Sequence, residues 1–178
     1  MSEIQYLSGD ATRPVGDGQK IIVHCCNNVN AWGSGFVISL SRRWKEPERQ
    51  YHCWYRSKQA FSLGNVQFIR VEDDILVANL IGQKGILSKG GVAPVRYGAL
   101  RKGLDKVAQK ASMSNASVHM PRMGCCRAGG LWETVEAIVK ETLSDQDINV
   151  YVYDFSPGHT SPPTRTRRKA PRSQRLPQ

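Results

Sequence analysis

The feature that most constrains this chain is an alternation. Short apolar segments rich in β-branched residues take turns with longer stretches whose apolar side chains recur every three to four positions. Ile4–Leu7 and Lys20–Cys25 predict strands, as do Val66–Val71 and Ile75–Leu80, with Glu72-Asp73-Asp74 between the last two as a hairpin turn. Ser117–Pro121 and Asn149–Tyr153 complete the set. Helical spacing links Tyr97, Leu100, Leu104, Val107 and Ala111, and again Trp132, Val135, Val139 and Leu143. It is looser across Phe36–Trp44 and Glu48–Arg56, where Pro47 favours a helix start between the two. Strands interleaved with helices of this length predict an α/β sandwich, with helices on both faces of a largely parallel sheet.

The pattern stops at Phe155. Residues 156–178 hold five of the nine prolines, no aromatic residue and one large aliphatic, Leu176. Such a segment buries too little surface to offset its ordering entropy, so a folded domain over 1–155 and a disordered basic tail over 156–178 are expected. The division changes the meaning of the charge. The chain carries 25 Lys and Arg against 15 Asp and Glu, and six of the basic residues lie in the tail, whose removal lowers the net charge from +10 to +4. Any nucleic-acid signal therefore belongs to the tail, where six positive charges would give salt-sensitive contact with phosphates; the bland alternative is a solubilising linker. No apolar run reaches the ~20 residues of a membrane helix. Met1–Gln5 has neither a basic cap nor an apolar stretch, so a cytoplasmic protein without membrane contact is expected, and a monomer. The five cysteines, an odd number, argue against a disulfide framework, and the adjacent pairs Cys25-Cys26 and Cys125-Cys126 chelate poorly because neighbours on a strand point apart. Neither metal nor cofactor is expected.

Two glycine-rich loops lead from strands into helices: Trp32-Gly33-Ser34-Gly35-Phe36 and Gly124-Cys125-Cys126-Arg127-Ala128-Gly129-Gly130. Glycine lets backbone approach a ligand, and a helix start offers unpaired N–H groups with partial positive charge. In open α/β sheets the ligand crevice lies beyond the carboxyl ends of the strands, so two such loops could clasp a diphosphate from both sides. Either loop alone reads more readily as turn chemistry; the pair, both at strand-to-helix junctions, brings the two readings level. Neither spells a P-loop or a dinucleotide fingerprint, and no nucleophile elbow occurs.

Gly9-Asp10-Ala11-Thr12, His24-Cys25-Cys26-Asn27-Asn28 and the Trp32–Phe36 loop, taken together, resemble a macrodomain. Asn79-Leu80-Ile81-Gly82-Gln83, His119–Cys125 and the closing Val152-Tyr153-Asp154-Phe155 continue the likeness over roughly residues 3–155. The branch it is most similar to processes ADP-ribose-1''-phosphate, akin to the yeast phosphatase and to the terminal ADP-ribose protein glycohydrolase. The resemblance implies a three-layer α/β/α sandwich with a mixed central sheet that binds ADP-ribose, free or protein-linked, at the sheet's carboxyl edge. It implies that Asp10, with Ala11 beside it, receives the adenine amine; a turn or cap aspartate is the structural alternative. Phe155 would pack on the adenine ring or simply rim the core. Gly33, Ser34, Gly35, Phe36 and Val37 would wrap the diphosphate with Gly124, Cys125, Cys126, Arg127, Ala128 and Gly129. Asn27 and Asn28 would meet the distal ribose, unless they serve as strand-end turn residues.

The chain departs from the family at the reacting end. Asn28 stands where related bacterial proteins carry aspartate, and Cys126-Arg127 where they carry Gly-Leu. The Gly→Cys change asks whether position 126 needs a positive φ. Gln83 occupies the position of the glycohydrolase's nucleophilic lysine, and Ala128 that of its acidic partner, so a lysine adduct is not expected. Two readings remain. In one, a water nucleophile hydrolyses an ADP-ribose derivative, with His24, Asn27 and Asn28 as the catalytic set and His24 as acid/base near its ordinary pKa. In the other, the domain reads ADP-ribose without turnover; His24 is then a neutral core histidine, and Arg127 either pairs with a phosphate or stays solvated.

Overall fold

The structure, a computed structural model, describes residues 2–154. The boundary expected at 155 and the basic tail lie outside the described residues. The chain runs β1 (Ile4–Ser8), β2 (Lys20–Asn27), α1 (Phe36–Arg43), α2 (Glu46–Ser57), β3 (Val66–Glu72), β4 (Ile75–Gln83), α3 (Tyr97–Ser114), β5 (Ser117–Pro121), α4 (Trp132–Thr142) and β6 (Val150–Asp154). The six strands form one sheet in the order β1-β6-β5-β2-β4-β3. Every pairing is parallel except β3 with β4, which the tight turn at Asp73-Asp74 makes antiparallel. The sheet is mixed and the class α/β, as the resemblance implies.

Burial explains the sequence pattern. Central β2 and β4 are covered on both faces, and so read as continuous apolar runs rather than alternating ones. Along β2, Ile22 and Cys26 face a smaller cluster with Trp32, Leu40 and Tyr51, which α1 and α2 close. Ile21 and Val23 face the larger cluster, closed by Leu100, Leu104 and Val107 of α3 and by Val135 and Val139 of α4. Pro47 sits in the first turn of α2, where its missing N–H costs nothing. Gly103 lets α3 lie directly on β4: a Cβ there would come within 2.4 Å of Leu80 Cγ. Among the described residues no helix is long and apolar enough to cross a membrane.

The strands run further than their sequence signal. β2 extends past Cys25 to Asn27 through an irregularity between Cys26 and Asn27, and β4 past Leu80 to Gln83. The extensions bring Asn27 and Gln83 side by side at the carboxyl edge, with Asn27 paired to Gln83.

Candidate functional site

Beyond the carboxyl ends of β2, β4, β5 and β6 lie two adjoining cavities, of about 370 and 570 Å³, within the range of small-molecule sites. Cys25, Ser34, Val37, Gln83 and Arg127 line both. The first continues to Pro121, Arg122, Tyr153 and Asp154 at the ends of β5 and β6. The second passes beneath Trp32, Ile86 and Leu87 and reaches Asn27.

The two glycine loops meet here, but their glycines answer to different constraints. Gly33 has no left-handed φ, and a Cβ added to it would meet no atom within 4 Å. Gly35, at φ 80°, is equally uncrowded. Nothing inside the protein demands a missing side chain at Gly33. Gly35 precedes α1, whose start has no side-chain cap and no acid in its first turn, and Gly35, Phe36 and Val37 line the first cavity, so the positive end of the helix lies at the cleft. The second loop is different. A Cβ on Gly130 would lie 2.2 Å from the Gly124 carbonyl oxygen, and one on Gly129 2.8 Å from Ala93 Cβ. Gly124 and Gly129 also have left-handed φ values of 74° and 73°. Those glycines are required by the fold itself. Cys126 opens a single 3-10 turn, Cys126–Ala128, whose negative φ suits any residue, so the Gly→Cys change meets no left-handed requirement.

His24 departs most from expectation. Its ring is 2% exposed, at the floor of the first cavity, edge-on to Trp32 at 5.3 Å and tilted against Phe36 at 5.7 Å. Asn79 fixes its tautomer. The Asn79 amide donates to Pro47 O (3.1 Å) and Gln67 Oε1 (3.2 Å), which leaves Oδ1 to accept from His24 Nε2–H at 2.6 Å. The remaining basic nitrogen, Nδ1, has the Cys26 thiol 3.9 Å away. Desolvation lowers the pKa of His24 to about 4, against a smaller opposing effect of the Asn79 hydrogen bond. Burial thus favours, of the two roles weighed for His24, the neutral core histidine over an acid/base titrating near neutrality.

Asn27 and Asn28 are likewise engaged in holding backbone. Asn27 Oδ1 accepts from Val29 N (3.0 Å), Ala31 N (3.1 Å) and the Tyr51 hydroxyl (2.9 Å), while Nδ2 donates to Ala31 O at 2.8 Å. The oxygen expected at the distal ribose is occupied by the turn it builds. Asn28 Oδ1 accepts the Gly85 N–H at 2.9 Å, and its own N–H donates to Gln83 O at 3.0 Å, which ties the segment after β4 to the end of β2. That segment returns through a Lys89–Val92 turn to a bridge between Gln83 and Val95, and it exposes Ile86 (51%) and Leu87 (72%) at the rim of the second cavity.

Asp10 stands at the same sheet edge, one residue past Gly9, whose N–H donates to Asp154 O at 2.8 Å, but it lies outside the lining of both cavities. Its Oδ1 accepts the Thr12 N–H at 2.9 Å, the turn role weighed for it. Ala11 is buried, so only its backbone can meet a ligand. Phe155 lies outside the described residues. Arg122 and Asp154 were not anticipated as lining residues. The parallel register, which pairs Pro121 with Tyr153, puts them side by side and was the signal that could have found them.

The lining offers groups for recognition. Exposed Arg127 borders both cavities, and the second holds neither carboxylate nor lysine among the described residues. Burial pushes the Cys25 thiol up to about 12 and the Cys26 thiol well above its ordinary value, so neither supplies a thiolate at neutral pH. No three His, Cys, Asp or Glu side chains among the described residues come together as a metal site.

The same architecture recurs in solved structures. One from Bacteroides thetaiotaomicron is 51% identical, covers 86% of this chain and 99% of its own, and superposes with a TM-score of 0.86. A macrodomain protein from Streptomyces coelicolor is 45% identical over 86% of this chain and 100% of its own, with a TM-score of 0.78. At 13% identity and a TM-score of 0.61, Thermosipho africanus DarTG in complex with ADP-ribose shares the fold over 81% of this chain and 40% of its own. Among curated relatives, the chromodomain-helicase-DNA-binding protein 1-like of Mus musculus is 30% identical over 86% of this chain, and the chain spans only 18% of that protein's length. An ADP-ribose 1''-phosphate phosphatase of Lodderomyces elongisporus is 27% identical over 85% of this chain and 99% of its own. No family model matches the chain. With 45% identity along the whole of the Streptomyces coelicolor macrodomain protein and a shared fold, the chain belongs to the macrodomain family.

Proposed function

We propose that this macrodomain binds ADP-ribose across the two cavities. The diphosphate lies between the Gly33–Val37 loop and the Gly124–Gly129 loop, the adenine toward β1 and β6, and the distal ribose in the second cavity. The observation that carries this reading is the first loop. Gly33 lacks a side chain without any neighbour that requires it, beside a helix start with no cap of its own. Both features suit an anion seated on backbone N–H groups. Arg127, bordering both cavities, supplies a fork for phosphate oxygens. Asp10, at the sheet edge beyond the first cavity, accepts the adenine amine through the oxygen not used by Thr12. Calorimetry with ADP-ribose tests the reading. Arg127→Ala should weaken binding by about 1.5–3 kcal/mol, the range for a hydrogen bond to a charged group. A wild-type protein that binds no ADP-ribose refutes it.

A second reading adds slow hydrolysis of an ADP-ribose derivative by water, and the phosphatase named among the relatives favours it. With Gln83 in place of a lysine and His24 buried and neutral, no strong base from the described residues faces the second cavity. General-base catalysis contributes ~10²–10⁴-fold, so turnover should be slow by about that factor. Release of phosphate from ADP-ribose-1''-phosphate, or of ADP-ribose from modified protein, separates this enzyme from a non-catalytic reader.

A further inference from the structure

The polar wall of the first cavity is built by two residues of opposite charge. Arg122 follows β5 and Asp154 ends β6, the adjacent parallel strand. The guanidinium grips the carboxylate at two points, Nε to Oδ1 at 2.5 Å and Nη2 to Oδ2 at 2.8 Å. It also lies 5.0 Å from the ring centre of Tyr6 and 5.2 Å from that of Trp132, and a second carboxylate, Glu136 of α4, acts on it from the same side as these rings. Those rings meet edge to face, and the Trp132 indole N–H donates to the Tyr6 hydroxyl at 3.1 Å and to Glu136 at 3.2 Å. Side chains from β1, β6 and α4 thus fix Arg122 in place. Half-exposed ion pairs contribute little to stability, yet this one is bidentate and set against two aromatic rings.

Its position suggests a reason. Asp154 shares one cavity with Ser34, Gly35, Cys125 and Arg127, where the proposed ligand carries a diphosphate with two negative charges. An unpaired carboxylate on that wall would repel the ligand. We propose that Arg122 is a positioning residue for ligand binding: it neutralises Asp154 and holds it against the wall, so that a dianion can enter beside an acid. The proposal rests on the ADP-ribose reading above. The pairing also holds the Asp154 carboxyl below its ordinary range, so Asp154 stays ionised and in need of its partner.

The test measures ADP-ribose affinity by calorimetry for wild type, Arg122→Ala, Arg122→Lys and the double variant Arg122→Ala with Asp154→Asn, at low and at high salt. An uncompensated unit charge facing a dianion across a water-like medium is a weak repulsion, so Arg122→Ala should bind roughly fivefold more weakly at low salt. At high salt the deficit should shrink toward wild type, because screening weakens exposed charges. Arg122→Lys should recover most of the affinity, and so should the double variant, which lacks the offending charge. A double variant as weak as Arg122→Ala, or a deficit indifferent to salt, overturns the proposal and makes Arg122 a direct ligand contact or a structural prop. Absence of wild-type binding would instead overturn the ADP-ribose reading on which it stands.

Discussion

Burial of His24 makes a prediction that can be worked through numerically. An unfolded chain holds histidine near pKa 6.5, while the folded protein holds His24 at about 4. The native state therefore binds fewer protons than the unfolded state between these values, and stability rises with pH across that window. The contribution is complete above pH 6.5 and is lost as pH falls through 4. At pH 4.5 the unfolded histidine is almost fully charged and the folded one only about a quarter so. The difference corresponds to roughly 2–3 kcal/mol of lost stability relative to pH 7. His119 adds a similar slope, since its pKa is also lowered to about 4, by burial and, to a lesser degree, by Lys20. The way to isolate His24 is to compare wild type with His24→Gln, whose amide can still donate to Asn79. Urea unfolding of both at pH 7 and 4.5 gives two differences. His24→Gln should be less stable at pH 7, because its ring contacts with Trp32 and Phe36 are gone. The gap should narrow by roughly 2–3 kcal/mol at pH 4.5. An unchanged gap would mean that His24 titrates like a solvated histidine, and the argument from burial would fail, reopening its role as a base at neutral pH.

Further expectations follow from the glycines and the aspartate. Gly33→Val should leave the melting temperature within about 2 °C of wild type, as an uncrowded surface change does, while lowering ADP-ribose affinity more than tenfold in calorimetry. Gly103→Ala gains ~1 kcal/mol of helix propensity but drives a methyl into Leu80; a net loss of roughly 1–2 kcal/mol in denaturant unfolding is expected. Asp10→Ala should weaken ADP-ribose binding by roughly 1–3 kcal/mol. If only its stability falls, through loss of the 2.9 Å bond to Thr12, Asp10 is a turn residue and no more.

The strands and helices were legible because their signal is local. Two-sided burial writes β2 and β4 as apolar runs, and one-sided burial writes α3 as a repeat of three to four. Their exact ends were not, since β2 continues through polar Asn27 only because β4 continues beside it. Site chemistry was less legible for the same reason. The state of His24 depends on Asn79, 55 positions away, and on which partner that amide has already taken. Whether Asn27 meets a ligand or a turn depends on Tyr51, whose hydroxyl reaches it from α2. Arg122 and Asp154 become a pair only once β5 and β6 are known to be parallel neighbours in register.

The unequal crowding of the two glycine loops bears on how this cleft could be remodelled. Around Gly124, Gly129 and Gly130 a single added carbon meets Leu100, Ala93 or the opposing backbone, so that side behaves as a fixed jaw. Around Gly33 an added carbon meets no atom within 4 Å. Libraries aimed at new selectivity therefore belong on the Gly33 side, where bulk would be felt by the bound molecule before it is felt by the fold. Complementary pairs, an enlarged residue 33 with a ligand trimmed to match, could then give a version of the domain that answers to one synthetic analogue and ignores the natural one.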